Sequence, residues 1–291
     1  MKSVFINADN HLRNGWKVLG AFLLTGLFVV GLIFLRRLLP ASVRALLPEP
    51  LLAFVGALLA TWLCTRLERT SLAAQGFALD VRAGRHLGLG VAGGMGLVGL
   101  VALVGWLLGG FHWVRTPDAA VSGLLKAAGT MLAVALFEET LFRGYAFQRA
   151  IRGLGARWAQ VLFAAIFTLA HSLPPGMDGG VMAVAMLNIF LAGLMLGLCY
   201  LRTGSLALPV GVHLGWNWMQ GSLGFGVSGK AASGWWTPVL HDRPEWLTGG
   251  AFGLEASVIS VVVMGLTVLG LSRYHQASIC VPTVQPRVLS P

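Results

Sequence analysis

Charged residues are scarce in this chain. Asp, Glu, Lys and Arg make up 11% of its 291 residues, whereas hydrophobic residues make up 56%. Soluble globular domains carry about 25% charged residues, so lipid rather than water is the expected solvent for most of this surface. Cysteine is scarce too, and Cys64, Cys199 and Cys280 have neither metal-ligand nor disulfide spacing. We interpret these three as small apolar residues.

Several long segments contain no charge at all. They are Val18–Leu35, Leu87–Gly110, Gly179–Leu201 and Ala256–Ser272. A membrane-spanning helix needs about 20 apolar residues, and only helices or closed barrels satisfy their backbone groups in lipid. Because these segments do not alternate apolar and polar residues as barrel strands do, we predict an all-α, polytopic membrane helix bundle of about eight transmembrane helices.

The predicted helices are spread over one transmembrane domain, residues 1–291, without a repeat or a soluble domain boundary. They cover residues 16–35, 50–65, 87–110, 121–152, 158–173, 180–201, 205–221 and 253–272. Pro174 and Pro175 mark a turn between the fifth and sixth helices. Residues 221–250 are rich in glycine and tryptophan, and we interpret them as a long loop at the membrane interface.

The net charge of +10 does not indicate a nucleic-acid partner, because no soluble basic domain carries it. The distribution of Lys and Arg fits the positive-inside rule instead. With the N-terminus inside, 14 of them fall on inside segments and 6 on outside segments, while Lys126 lies within the fourth helix. We therefore predict a multi-pass protein of the cell membrane, in contact with lipid, with both termini cytoplasmic. The first apolar run is predicted to be a retained helix rather than a signal peptide.

Ionisable residues inside a membrane are costly, about 2.5–3.5 kcal/mol each, and indicate functional sites. Three predicted helices carry such residues, in the segments Glu138–Arg143, Phe167–His171 and His213–Asn217. Helix ends placed from the sequence put all three segments at a similar depth, roughly 12–21 Å from one side, at 1.5 Å per residue. The sequence therefore predicts a polar pocket among these helices.

The spacing within the first segment separates its two carboxylates. Residues four apart share a helix face, so Glu139 can pair with Arg143. Glu138 lies about 100° around the helix and is not used by Arg143. It is the freer carboxylate, and we predict that it is the general base.

The three motifs EExxxR, FxxxH and HxxxN, in this order, resemble those of the CPBP family of intramembrane proteases. That family includes the CAAX prenyl endopeptidases and bacterial (Abi) relatives linked to bacteriocin processing or immunity. The resemblance implies a hydrolase with a catalytic core over residues 121–272. The implied site residues are Glu138, Glu139, Arg143, His171, His213 and Asn217.

The implied reaction is endoproteolysis of a membrane-associated peptide, or of a lipidated or transmembrane protein. Glu138 would activate the attacking water, and Asn217 with His213 could stabilise the oxyanion. Two routes stay open for the histidines. With Glu138, His171 and His213 could bind a divalent metal such as zinc, as in a metalloprotease, or they could orient water without metal. The placement of the motifs on three helices, unlike HExxH on one helix, favours the metal-free route.

Two other functions fit the same composition. A transporter could use the buried carboxylates and histidines, but transporters often show repeated halves, and no repeat is present here. A non-catalytic immunity or partner-binding membrane protein is the other alternative. Outside the motifs, we interpret Asn188 as interhelical glue and Glu255 as a carboxylate at the start of the eighth helix. The many helical glycines predict close helix packing.

Overall fold

In the part of the chain that the structure describes, the fold is a bundle of helices with one small sheet. A computed structural model describes residues 2–7, 11–117, 119–171, 176–232 and 234–273. The helices are α1 (Lys2–Phe5), α2 (Asn14–Arg37), α3 (Ala41–Leu46), α4 (Glu49–Leu67), α5 (Val81–Leu107), α6 (Val121–Arg143), α7 (Tyr145–Leu154), α8 (Ala156–Leu169), α9 (Gly179–Thr203), α10 (Ala207–Ser222), α11 (Glu245–Thr248) and α12 (Val258–Arg273). The strands are β1 (Phe111–Arg115) and β2 (Trp236–Leu240).

The predicted helical membrane bundle is confirmed. Helices at all eight predicted places are present. Within the described ranges, five segments are long and apolar enough to cross a membrane: Asn14–Arg37, Glu49–Leu67, Val81–Leu107, Val121–Leu154 and Gly179–Thr203. The helices α8, α10 and α12 have 14, 16 and 16 residues. At 1.5 Å per residue they extend about 21–24 Å, less than the roughly 30 Å hydrocarbon core. The side of the membrane that holds each terminus stays a prediction, and residues 274–291 lie outside the described ranges.

The fourth predicted helix is not continuous. The prediction of one helix over residues 121–152 is wrong, because the chain breaks at Gly144 (φ −76°, ψ −136°) between α6 and α7. A Cβ atom at this glycine would lie 2.3 Å from the carbonyl oxygen of Thr140. The break turns α7 away from α6, so that α7 packs against α2 and α8.

The C-terminal part of the bundle also differs from the sequence interpretation. The segment 221–250 is not wholly a loop, because it contains β2, which pairs antiparallel with β1, and the short helix α11. The last helix begins at Val258 rather than at residue 253. Glu255 therefore lies in a 3₁₀ turn, Leu254–Ala256, before the helix, and the prediction that it caps the helix dipole is wrong.

Glycine allows α5 and α10 to touch along their backbones. A Cβ atom at Gly90 or Gly94 of α5 would lie 2.5 Å or 2.1 Å from a carbonyl oxygen of α10. Reciprocally, a Cβ atom at Gly211 or Gly215 of α10 would lie 2.4 Å or 2.2 Å from a carbonyl oxygen of α5. Small residues four apart on both helices permit this approach in a bilayer. The close packing predicted from the helical glycines is confirmed at these four positions, and it fixes the helix that carries His213.

Candidate active site

The buried ion pair between Glu139 and Arg143 lies at the centre of the site. Arg143 Nη1 donates to Glu139 Oε1 at 3.1 Å, and both side chains are almost fully buried. Arg143 Nη2 donates to the backbone oxygen of Gly193 on α9 at 3.0 Å. The guanidinium also lies 4.7 Å from the ring centre of Phe167 on α8. One arginine thus ties α6 to α8 and α9.

His213 on α10 contacts both glutamates. Its Nδ1 lies 2.9 Å from Glu139 Oε1. Since a carboxylate only accepts hydrogen bonds, Nδ1 carries the proton of this contact. The other ring nitrogen, Nε2, lies 3.8 Å from Glu138 Oε2. Glu139 therefore orients the imidazole and directs Nε2 towards Glu138.

Glu138 is the less constrained of the two carboxylates, as the helical spacing predicts. Its side chain is 20% exposed, whereas that of Glu139 is fully buried. Its Oε2 atom is nevertheless buried and has no hydrogen-bond partner among the described residues. The 3.8 Å separation from His213 Nε2 exceeds the distance of a direct hydrogen bond, which leaves this oxygen free for a third group.

His171 lies just beyond the end of α8 rather than on the helix. The helix ends at Leu169, so the predicted boundary at residue 173 is wrong, and residues 172–175, including the predicted proline turn, lie outside the described residues. The His171 ring lies 4.5 Å from the Phe167 ring, centre to centre, and its Nδ1 is 2.7 Å from the Phe167 carbonyl oxygen. Because a carbonyl only accepts, Nδ1 donates and Nε2 is the free ring nitrogen.

Two spaces share lining residues from the motifs. His171, His213 and Asn217 line both a small cavity of about 40 Å³ and a wider cleft of about 440 Å³. A space of 10–15 Å³ suffices for one water molecule, so the small cavity has room for water. Glu138 lines the cleft, whose other walls are largely apolar. The structure therefore brings all six predicted residues to one buried polar region.

The segment that holds this region also matches a known family. Residues 119–219 match the family described as type II CAAX prenyl endopeptidase Rce1-like. This match confirms the resemblance to the CAAX proteases. The matched segment includes all three motifs. The match supports the general activity of a CAAX-type intramembrane endopeptidase. A comparison with curated proteins found no match.

The CAAX protease match ends at residue 219, but the polar region continues beyond it. Glu255 is 7% exposed and lines the small cavity together with Ser228. One carboxylate oxygen of Glu255 accepts from the backbone N–H of Ser228 at 2.6 Å and from its hydroxyl at 3.2 Å. Sequence reasoning missed this pair, because Glu255 lies next to a helix start and Ser228 in a glycine-rich segment without a motif.

Asn188 also lines the small cavity, and its side-chain oxygen accepts from the Ser260 hydroxyl at 3.0 Å. This bond joins α9 to α12, so the predicted role of Asn188 between helices is confirmed.

The Gly193 carbonyl that accepts from Arg143 could not be found from sequence, because every residue has a carbonyl group.

The residues offer a limited fit to a metal ion. Glu138, His171 and His213 have the donor types of a catalytic zinc site, and all three line the cleft. Within the described ranges, however, no three His, Cys, Asp or Glu side chains converge closely enough to hold a metal ion. Two of the four imidazole nitrogens are already used by Glu139 and the Phe167 carbonyl. We therefore derive no step through a metal.

Proposed function

We propose that this protein is an intramembrane endopeptidase in which Glu138 activates water to hydrolyse a membrane-associated peptide or protein. One observation carries the proposal. A buried oxygen of Glu138 that has no hydrogen-bond partner among the described residues faces Nε2 of His213, and the far side of that imidazole is held by Glu139. A base, an oriented imidazole and a space beside them are what water activation requires.

The geometry allows one water molecule to contact both groups. Hydrogen bonds of about 2.8 Å from a water to Glu138 Oε2 and to His213 Nε2 close a triangle on their 3.8 Å separation. Glu138 removes a proton from this water as its oxygen attacks the scissile carbonyl carbon. The resulting carboxylic acid then gives the proton to the leaving amine as the C–N bond breaks.

The neighbouring residues take supporting roles. In its doubly protonated form, His213 donates through Nδ1 to Glu139 and through Nε2 to the reacting oxygen. Asn217 lies one turn further along α10, and its amide can donate to the oxyanion that forms on the carbonyl. His171 lines the small cavity and the cleft, and its Nε2 is the ring nitrogen left for a contact with water or substrate. Glu139, which contacts His213, and Arg143, which contacts Glu139, are positioning residues.

The cleft favours a substrate that enters from the membrane. Apolar residues of α6 form one wall, among them Met131, Val134 and Phe137. Such a wall suits an apolar peptide segment, in a lipidated or a transmembrane protein, better than a charged soluble peptide. Hydrolysis in this cleft keeps the reacting groups away from bulk water.

The Glu138→Gln variant tests the proposal. Gln keeps the size of the side chain and removes the base, so cleavage of a peptide that the parent cuts should fall by about 10²–10⁴-fold. The melting temperature in detergent should stay close to that of the parent. Glu245→Gln, which makes the same change at an exposed site, should leave cleavage unchanged. Full peptidase activity in Glu138→Gln would falsify the assignment of the base.

Metal analysis separates the two chemical routes. Our proposal expects active, purified parent protein to hold no stoichiometric metal and to keep its activity after chelation. His171→Ala and His213→Ala should each lose activity severely, and neither loss should add to that of Glu138→Gln, because groups that act as a unit are non-additive. One equivalent of zinc, lost in either histidine variant together with activity, would support the metal-dependent route instead.

A further inference from the structure

A second group of charges lies away from the catalytic region, where α2, α4 and α7 meet. Glu68, directly after α4, holds two cations at once. Lys17 Nζ of α2 lies 2.8 Å from its Oε1, and Arg149 Nη2 of α7 lies 2.5 Å from its Oε2. One carboxylate cannot neutralise two cations, so this group carries an excess positive charge.

Arg149 is incompletely paired although its side chain is fully buried. Its Nε and Nη1 atoms have no hydrogen-bond partner among the described residues. Its guanidinium lies 4.5 Å from the ring centre of Tyr145, which covers one face of the guanidinium plane. A buried guanidinium with unused donors is costly, and an anion or water would have to satisfy it.

Two cavities flank this group, of about 850 Å³ and 650 Å³. We call them together the basic cavity. Their lining contains Arg13, Lys17, Arg69, Arg149 and Arg152, against Glu68 as the one acidic residue among the described lining residues. The excess of positive charge therefore extends along the whole basic cavity.

The position of the basic cavity corresponds to a membrane surface. Arg13 directly precedes α2, and Glu68 directly follows α4, so the ends of two antiparallel helices lie at one level. Trp16, a residue type enriched at membrane interfaces, lines both parts, and Val18, Leu24 and Leu162 add apolar walls. Cationic and apolar walls thus adjoin at the depth of lipid headgroups.

From this arrangement, we propose that the basic cavity binds the phosphate of an anionic phospholipid, with Arg149 as its buried donor. The phosphate oxygens accept from the unused Nε–H and Nη1–H of Arg149, while Arg13, Lys17, Arg69 and Arg152 supply surrounding positive charge. Basic pockets between helix ends suit anionic headgroups in this way, and a guanidinium matches a phosphate through paired N–H donors. The acyl chains would lie along the apolar walls.

Thermal unfolding in a neutral detergent tests the proposal, with three additions compared: dioleoylphosphatidylglycerol, dioleoylphosphatidylcholine and inorganic phosphate. Saturating phosphatidylglycerol should raise the melting temperature by roughly 5 °C or more, as a ligand that binds only the folded state does. Phosphatidylcholine and inorganic phosphate should raise it much less. Equal stabilisation by inorganic phosphate would overturn the lipid assignment, and no preference for phosphatidylglycerol would overturn the site.

Two variants locate the effect. Arg13→Gln with Arg69→Gln should remove most of the shift, whereas Arg37→Gln with Arg243→Gln removes equal charge outside the basic cavity and should keep it. Arg149→Lys keeps a cation beside Glu68 but lacks the second nitrogen donor, and it should also lose the shift. An unchanged shift in Arg149→Lys would contradict the role of Arg149. For a variant without a clear melting transition, native mass spectrometry can count the bound phosphatidylglycerol molecules, and the count should fall in the variants that are expected to lose the shift.

Discussion

Two buried arginines, Arg143 and Arg149, lie on either side of the break at Gly144 and have opposite pairing. Arg143 donates to Glu139 and to the Gly193 carbonyl, and its carboxylate partner is buried with it. Arg149 shares Glu68, which is 18% exposed, with Lys17, and two of its nitrogen atoms have no hydrogen-bond partner among the described residues. The first arginine has a closed set of partners, whereas the second has N–H groups that, in our proposal, bind a ligand.

The difference shows how to distinguish a structural charge from a binding charge inside a membrane protein. Burial alone does not separate the two arginines, because both side chains are almost inaccessible. The partners separate them. A closed set of partners orients neighbouring groups, here His213, while an open set in contact with a cavity indicates a ligand.

The largest expected effect on stability comes from Arg143→Ala. Removal of one partner from a buried ion pair costs about 3–5 kcal/mol, because it leaves an uncompensated charge. Here the stranded group is Glu139. Chemical unfolding in detergent should show this loss, and peptidase activity should disappear with it. A parent-like unfolding curve for Arg143→Ala would show that the pair contributes nothing to folding.

Arg149→Ala provides the matched comparison. Glu68 keeps Lys17 and some contact with water, so the loss should be smaller than for Arg143→Ala, about 1.5–3 kcal/mol, the range of hydrogen bonds to charged groups. Adding phosphatidylglycerol should increase the difference in unfolding free energy between the parent and Arg149→Ala. The difference between the parent and Arg143→Ala should stay the same. Equal losses in both variants would remove the distinction between the two arginines.

A smaller effect is expected from Gly94→Ala, which tests the helix contact behind the candidate active site. The added methyl group would lie 2.1 Å from the Val212 carbonyl oxygen and 2.8 Å from the backbone nitrogen of Trp216. Overpacking of this kind typically costs about 1–3 kcal/mol, and a displaced α10 would move His213. The free energy of unfolding and the rate of peptide cleavage should therefore both fall.

The control for this variant is Gly93→Ala on the same helix. A Cβ atom at Gly93 has no neighbour within 4 Å, so stability should be unchanged or slightly increased, since alanine favours helix. If both variants behave alike, the backbone contact between α5 and α10 does not limit the position of His213.

The smallest effect concerns the neutral pair of Asn188 and Ser260, 3.0 Å apart. A double-mutant cycle with Asn188→Ala and Ser260→Ala should give a coupling of about 0.6 kcal/mol, the average for interhelical hydrogen bonds in membranes. A coupling energy as large as that between Glu139 and Arg143 would mean that charge does not set the strength of the side-chain contacts in the candidate active site.

The helices and the pairing along α6 follow from local rules that the sequence contains. Long charge-free runs predicted the bundle, and the spacing of Glu139 and Arg143 predicted their ion pair, because neighbours four apart on one helix meet whatever surrounds them. The lower constraint on Glu138 follows from the same helical geometry. These features need no information about other helices beyond their existence.

Breaks in the pattern were harder to predict, because a local sequence does not show what a neighbouring element will accept. The break at Gly144 lies within a sequence that is apolar enough for one helix. The pairing of β1 with β2 joins segments more than a hundred residues apart, and neither segment alone specifies its partner. Glu255 was assigned to a helix end, although its side chain turns into the cavity and binds Ser228.

The sequence by itself determined that this protein is a helical membrane bundle and that Glu139 and Arg143 meet on one helix face. Only the tertiary structure decided which nitrogen of His213 faces Glu138, which carbonyl receives Arg143 and which arginine keeps unused donors. The physical reason is the separation along the chain between the groups that interact. Helix formation and pairing along one helix depend on residues a few positions apart, whereas the orientation of an imidazole and the satisfaction of a guanidinium depend on groups that distant parts of the chain bring to the same place.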